Sequence, residues 1–183
     1  MAEFVKVEQD GTVAVVTLDH PPVNALSARL LEELETEYDR LDRSDETRAL
    51  VFRGAGDKAF VAGADISEFP ALREAAEEAA REGGSARGIQ KLAARMDAGR
   101  TPVIAAIHGY CLGGGLELAI TCDLRLCVAG AKLGMPPAKL GLIYGHTGLR
   151  RFIEGSISHY VVDHAPCPVE VVHCKETKEE EGG

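Results

Sequence analysis

Three consecutive glycines, Gly113 to Gly115, stand directly before a run of residues typical of a helix, and a glutamate follows at position 117. Glycines at a helix start let the backbone approach a ligand closely, and the unpaired N–H groups and the helix dipole there favour negative charge. Glu117 would place a carboxyl group beside the same donors. The pattern predicts either an anion-binding site or, more simply, a tight turn followed by a surface glutamate.

A second stretch of small residues, Ala59-Phe-Val-Ala-Gly-Ala-Asp-Ile, is interpreted as a loop that leads into a helical turn. Ala64 in this loop is a candidate to present another backbone N–H. Two such amides that meet at one point form an oxyanion hole, and removing one donor of this kind costs about 3 to 4 kcal/mol of transition-state stabilisation. The spacing leaves open whether Ala64 and Gly114 converge.

The elements that would position these loops alternate between strand and helix, which predicts an α/β fold. Asp10-Gly11 is typical of a tight hairpin turn, and apolar residues at helical spacing from Leu26 to Leu41 predict an amphipathic helix capped by Ser27 or Asn24. Further runs predict strands at Ala49–Phe52, Pro102–Ile107 and Asp123–Val128, and a helix through Ile89 and Met96.

Composition excludes several classes of function. The chain has 183 residues and a formal charge of −9, which suits one globular domain and disfavours nucleic acid as a partner. We expect a cytoplasmic protein, because no basic leader precedes an apolar run and no apolar run is long enough to span a membrane. The five cysteines are Cys111, Cys122, Cys127, Cys167 and Cys174. Their odd number predicts free thiols, and we expect no metal site.

Several motifs together resemble the enoyl-CoA hydratase/isomerase (crotonase) superfamily over about residues 3–153. They are Pro22-Val-Asn-Ala-Leu, the Ala59 to Ile66 segment, Pro102-Val-Ile-Ala-Ala-Ile-His-Gly-Tyr-Cys-Leu-Gly-Gly-Gly-Leu-Glu-Leu-Ala, and Cys122-Asp. The resemblance implies a crotonase-like spiral of ββα units in residues 1–154 that binds an acyl-CoA thioester. It also implies a homo-oligomer, with the trimer as the expected form.

The resemblance assigns roles to individual residues. The amides of Ala64 and Gly114 would hold a thioester enolate, and Glu117 would handle a proton or orient the acyl group. Coenzyme A would enter as part of the substrate, so no separate cofactor is expected. The substrate-binding residues implied by position are Ala62, Ala64, Asp65, Ile66, Ser67 and Gly114.

One departure from the family pattern concerns a second glutamate, which hydratases of this family carry about twenty residues after the position of Glu117. Here Pro137 stands at that place, and proline can neither accept nor donate a proton. A decarboxylase acting on malonyl-type CoA thioesters, or a CoA-binding protein without catalysis, therefore stays open as an alternative. Tyr144 and His146 are candidate proton donors, although a packed ring and a solvated loop residue explain them as simply.

The end of the chain departs from the family as well. Residues 155–174 resemble the closing helix and strand of universal stress proteins, in which a Gly-Ser pair such as Gly155 and Ser156 helps to hold ATP phosphates. The glycine spacing before them does not fit that family, so we interpret the segment as a foreign tail on a C-terminally shortened crotonase core. A nucleotide-binding stress protein is the third alternative.

Residues 175–183 are nearly all charged or glycine and are expected to be disordered. Four tail residues have side chains that could bind a metal, but we interpret them as packing residues; they are His164, Cys167, His173 and Cys174.

Overall fold

The computed structural model describes residues 2–65 and 88–134, which form two β-sheets with helices packed against them. The strands of the larger sheet, in chain order, are β1 (Val5–Asp10), β2 (Val13–Leu18), β3 (Ala49–Gly54), β5 (Val103–Ile107) and β7 (Leu124–Cys127). Those of the smaller sheet are β4 (Ala59–Ala62), β6 (Tyr110–Leu112) and β8 (Lys132–Gly134). The helices are α1 (Ala28–Asp42), α2 (Ile89–Ala98) and α3 (Gly114–Thr121).

The chain opens with the hairpin that Asp10-Gly11 predicts. Strands β1 and β2 pair antiparallel as far as Asp10 opposite Val13, and Gly11 in the turn has a φ of 57°, which glycine adopts without steric cost. Strand β2 then pairs in parallel with β3, and the sheet continues in parallel through β5 to β7. The hairpin is therefore the antiparallel edge of an otherwise parallel sheet.

Helix α1 covers this sheet with one apolar face. Its first turn is capped by Ser27, whose Oγ accepts a hydrogen bond from the Leu30 N–H at 3.2 Å, so Ser27 rather than Asn24 is the cap. The apolar positions of the predicted face are buried; they are Leu30, Leu34, Tyr38 and Leu41. Beside this face, Glu33 Oε2 accepts hydrogen bonds from three successive amides, those of Glu3, Phe4 and Val5, at 2.9, 2.7 and 3.2 Å.

The strands after the hairpin alternate between the two sheets. Each pair, β3 with β4, β5 with β6 and β7 with β8, gives its first strand to the larger sheet and its second to the smaller. Helix α2 precedes β5, and α3 joins β6 to β7. This is the ββα repetition that the fold prediction requires.

The interpretation of Ala59–Ala62 as a loop is wrong, because these residues form β4. Phe60 and Val61 are fully buried, and the strand pairs in parallel with β6. A strand of only four residues, two of them alanine, is too short to carry a periodic signal of its own. Its backbone partners come from β6, from Val23 and Asn24, and from His108, whose C=O accepts the Phe60 N–H at 2.9 Å.

Two general findings concern the described ranges. Within residues 2–65 and 88–134, no helix has the length and apolar character needed to cross a lipid bilayer. Cys111 and Cys122 are buried free thiols, and Cys127 is an exposed one. Cys167 and Cys174, like the entire tail from 155 onward, lie outside the described residues.

Candidate active site

The candidate site lies where parallel strands of the smaller sheet end. Ala62 of β4 is in register with Leu112 of β6, which is in register with Gly134 of β8, so the carboxyl ends of these strands share one edge. The loop after β4 carries Ala64, and the residues after β6 begin helix α3. Carboxyl ends of parallel strands are where ligand sites of α/β proteins form.

Glycine is required at the start of α3 for two different reasons. Gly113, the residue before the helix, has a φ of 54°, and its N–H donates to Gly134 O at 2.9 Å. Gly115, in the first turn, lies so close to β4 that a Cβ built on it would be 2.1 Å from Val61 O. The helix therefore starts in direct backbone contact with the strand that leads to Ala64.

Gly114 is the first residue of α3, so its N–H has no acceptor within the helix. An amide at this position points out of the helix start, where the helix dipole adds partial positive charge. Gly114 thus supplies one donor at the edge of the smaller sheet.

Ala64 is held by two hydrogen bonds made by its neighbours. The Leu26 N–H donates to Gly63 O at 2.8 Å, and the Asp65 N–H donates to Leu26 O at 2.9 Å. In a parallel pairing of this kind, the residue between the two bonded neighbours directs its own N–H to the opposite side. The Ala64 N–H therefore points away from Leu26's backbone.

Gly114 and Ala64 lie next to each other. A Cβ built on Gly114 would be 4.0 Å from the Ala64 nitrogen and 3.1 Å from Leu26 Cδ1. Residues fifty positions apart in the sequence are thus brought to one place, beside a buried leucine side chain.

Glu117 lies one helical turn beyond Gly114, on the same face of α3. It is 8% exposed, and burial raises the pKa of its carboxyl group. Among residues 2–65 and 88–134, no basic side chain forms an ion pair with it that would offset this effect. Glu117 is therefore a buried carboxyl group that holds its proton to a higher pH than an exposed glutamate does.

The remaining predicted site residues divide into two groups. Asp65 directly follows Ala64, and Ala62 ends β4 two residues before it, where its N–H donates to Val23 O at 3.1 Å. The other predicted positions lie outside the described residues; they are Ile66, Ser67, Pro137, Tyr144 and His146.

Comparison with known proteins identifies the family. The family model described as "Enoyl-CoA hydratase/isomerase" matches residues 8–165. The chain belongs to the enoyl-CoA hydratase/isomerase family. This confirms the predicted membership in the crotonase superfamily.

Individual relatives agree with this family. The chain is 44% identical over 142 residues to a "Probable enoyl-CoA hydratase" of Bacillus subtilis, covering 78% of this chain and 53% of the relative. It is 38% identical over 148 residues to a "Short-chain-enoyl-CoA hydratase" of Clostridium acetobutylicum, covering 79% and 54%. The chain thus spans about half the length of these curated members of the enoyl-CoA hydratase/isomerase family.

A solved structure confirms the crotonase-like α/β fold. The crystal structure titled as an enoyl-CoA hydratase/carnithine racemase from Magnetospirillum magneticum superimposes with a TM-score of 0.74 at 32% identity. The match covers 88% of this chain and 60% of the other.

Two residues that help to build the site are absent from the predicted set. Asn24 is predicted as a possible helix cap and Leu26 as the first apolar position of α1; both belong to the Pro22-Val-Asn-Ala-Leu motif of the family resemblance, but neither is predicted as a site residue. The sequence signal for both is the short Pro22 to Leu26 segment between β2 and α1. In this member of the enoyl-CoA hydratase/isomerase family that segment runs beside the Ala64 loop.

Proposed function

We propose that this chain acts on an acyl-CoA thioester whose carbonyl oxygen accepts hydrogen bonds from the Ala64 and Gly114 amides. The observation that carries the proposal is their proximity, with a Gly114 Cβ position 4.0 Å from the Ala64 nitrogen. Negative charge that develops on the thioester oxygen during enolate formation is stabilised by donors fixed in advance. The start of α3 adds its dipole to the same place.

Glu117 is the proposed proton-transfer group. Burial raises its pKa toward the range in which a carboxyl group exchanges protons efficiently at neutral pH. Its place one turn from Gly114 puts it next to a thioester held by that amide. In a hydration, Glu117 would exchange a proton with the water or with the carbon adjacent to the thioester.

Decarboxylation of a malonyl-type CoA thioester is the second candidate. Pro137 favours it, because a proline stands where hydratases resembling this chain carry their second glutamate. In that reaction the bond to the carboxylate breaks, carbon dioxide leaves, and the electron pair forms the thioester enolate, which then takes up a proton. The same two amides would stabilise this enolate without a water-activating pair of carboxyl groups.

A panel of thioesters tests the proposal on the full chain. Crotonyl-CoA reports hydration, malonyl- and methylmalonyl-CoA report decarboxylation, and calorimetric titration reports binding. We expect turnover of at least one substrate and its loss in Glu117→Gln with binding largely intact. Binding without product from any thioester would support a non-catalytic CoA-binding protein, and the absence of binding would refute the proposal.

Glu35→Gln is the matched control for that substitution. Glu35 is also a buried carboxyl residue, but it lies on α1 and forms an ion pair with Lys91 at 2.7 Å. Its substitution removes a buried carboxylate at a distance from Gly114. Turnover should survive in Glu35→Gln, and an equal loss in both variants would remove Glu117 from the mechanism.

A further inference from the structure

Asn24 is the best-connected side chain in the segment beside the Ala64 loop. It is 3% exposed, and its φ of 55° lies in the left-handed region, which asparagine tolerates better than most residues. Its Nδ2 donates to Ala55 O and to Ala59 O, both at 2.9 Å, and its Oδ1 accepts from the His20 N–H at 3.1 Å. One side chain thus connects three separate stretches of backbone.

These bonds hold the segment from Val23 to Leu26 in a fixed place. The Ala59 carbonyl belongs to the first residue of β4, so Asn24 is attached directly to the strand that leads to the site. Gly54 makes the close approach possible, since a Cβ built there would lie 2.8 Å from Asn24 Nδ2. The attachment is part of the core rather than a surface contact.

The fixed segment in turn determines the direction of the Ala64 amide. Val23 O accepts from the Ala62 N–H at 3.1 Å, and Leu26 bonds to the residues on each side of Ala64 at 2.8 and 2.9 Å. Three hydrogen bonds therefore run along the end of β4 and the loop that follows it. A shift of this segment would rotate the Ala64 peptide, because its neighbours on both sides are attached to it.

We propose that Asn24 is a positioning residue for the oxyanion site: its buried side chain fixes the Val23–Leu26 segment, which aims the Ala64 N–H at the carbonyl oxygen shared with Gly114. Asn24 does not touch the substrate in this arrangement. The inference rests on the proposed function, and it adds a residue that acts on carbonyl recognition through the backbone.

The test compares two ligands that differ at the carbonyl group. Butyryl-CoA is a thioester, whereas S-butyl-CoA is a thioether that keeps the chain and the CoA but lacks the carbonyl oxygen. Two neutral hydrogen bonds to that oxygen are expected to make the thioester bind about tenfold more tightly to the parent protein. The ratio of the two dissociation constants, measured by calorimetry, reports on recognition of the carbonyl group.

Asn24→Gly keeps the left-handed backbone accessible and removes all three side-chain bonds. We expect the ratio to fall below about twofold, while the dissociation constant of the thioether changes less than about threefold, since the amides contribute only to carbonyl binding. Asn24→Asp is the second variant; it retains an acceptor for His20 but replaces the donor, and the ratio should fall in the same way.

Asp42→Ala is the matched control for lost stability. Asp42 Oδ1 accepts from the amides of Arg100 and Thr101 at 3.0 and 2.8 Å, which fixes a loop that leads into β5 instead of the site. This variant should lose stability and keep the tenfold ratio. A tenfold ratio that persists in a folded Asn24 variant overturns the positioning role alone. A parent protein that binds both ligands equally overturns the proposed function and this inference with it.

Discussion

The contact between α3 and β4 provides a sharp test of how the site is assembled. Gly114 and Gly115 are adjacent in the first turn of α3, and replacing glycine by alanine inside a helix ordinarily stabilises it by up to about 1 kcal/mol. The surroundings of the two residues predict deviations of very different size from that expectation. Gly115→Ala should be strongly destabilising, and Gly114→Ala should be close to neutral.

The magnitude follows from the distances. A Cβ on Gly115 would lie 2.1 Å from Val61 O and 2.7 Å from Val61 Cβ, and both distances are well below the ordinary contact range of 3.4 to 4 Å. Val61 is fully buried and the clashing oxygen belongs to the backbone, so helix and strand must separate. Overpacking of this kind costs 1 to 3 kcal/mol or more, and we expect a loss of about 3 kcal/mol in the free energy of unfolding.

For Gly114, the nearest atom to an added Cβ is Leu26 Cδ1 at 3.1 Å, the end of a side chain that a small rotation can move. We therefore expect a change within about 1 kcal/mol. Urea denaturation followed by circular dichroism measures both variants against the parent. Equal stability of Gly114→Ala and Gly115→Ala would show that α3 does not lie against β4 as described, and the proximity of the two amides would lose its basis.

Substitutions of three further polar groups give predictions. Because burial raises the pKa of Glu117, Glu117→Gln should be more resistant to urea than the parent protein at neutral pH. This difference in stability should vanish as the pH falls below the ordinary glutamate pKa of 4.5. A difference that does not depend on pH would contradict the prediction. Burial raises the pKa of Glu33, but its three backbone amides and Arg29 outweigh burial and lower it. Glu33→Gln should therefore cost about 1 to 2 kcal/mol above pH 4.5 and progressively less as the pH falls through the lowered value, as urea titrations at several pH values would show. The Tyr38 hydroxyl is buried without a hydrogen-bond partner among the described residues, so Tyr38→Phe should raise the free energy of unfolding by about 1 kcal/mol. Thermal unfolding would measure this change, and a decrease in stability of similar size would indicate that the hydroxyl has a partner.

Much of the larger sheet is predictable from the sequence, because its elements carry strong local signals. The hairpin has a turn pair, α1 has an apolar face and a serine cap, and β3 and β5 are apolar runs of β-branched and other buried residues. Each of these signals lies within a window shorter than about eighteen residues. Local patterns of this kind can be recognised without knowing how the rest of the chain folds.

The smaller sheet is not predictable in the same way. Strands β4, β6 and β8 have three or four residues each and are stabilised by partners about twenty to fifty positions away. The candidate donors Ala64 and Gly114 could be named from glycine-rich motifs and a family resemblance. Their proximity could not, because it depends on the register of β4 with β6 and on the bonds of Leu26.

Both proposed donors are main-chain N–H groups, so most point substitutions leave the donors themselves in place. Any amino acid except proline at position 64 or 114 would keep the N–H, so an alanine scan of the loops would remove neither donor. Apart from proline at these two positions, a mutation can redirect the donors only by changing the conformation of the backbone that carries them. The residues under the strictest selection would then be those that shape the backbone, such as Gly113, Gly115 and Asn24, and none of the three needs to meet the substrate.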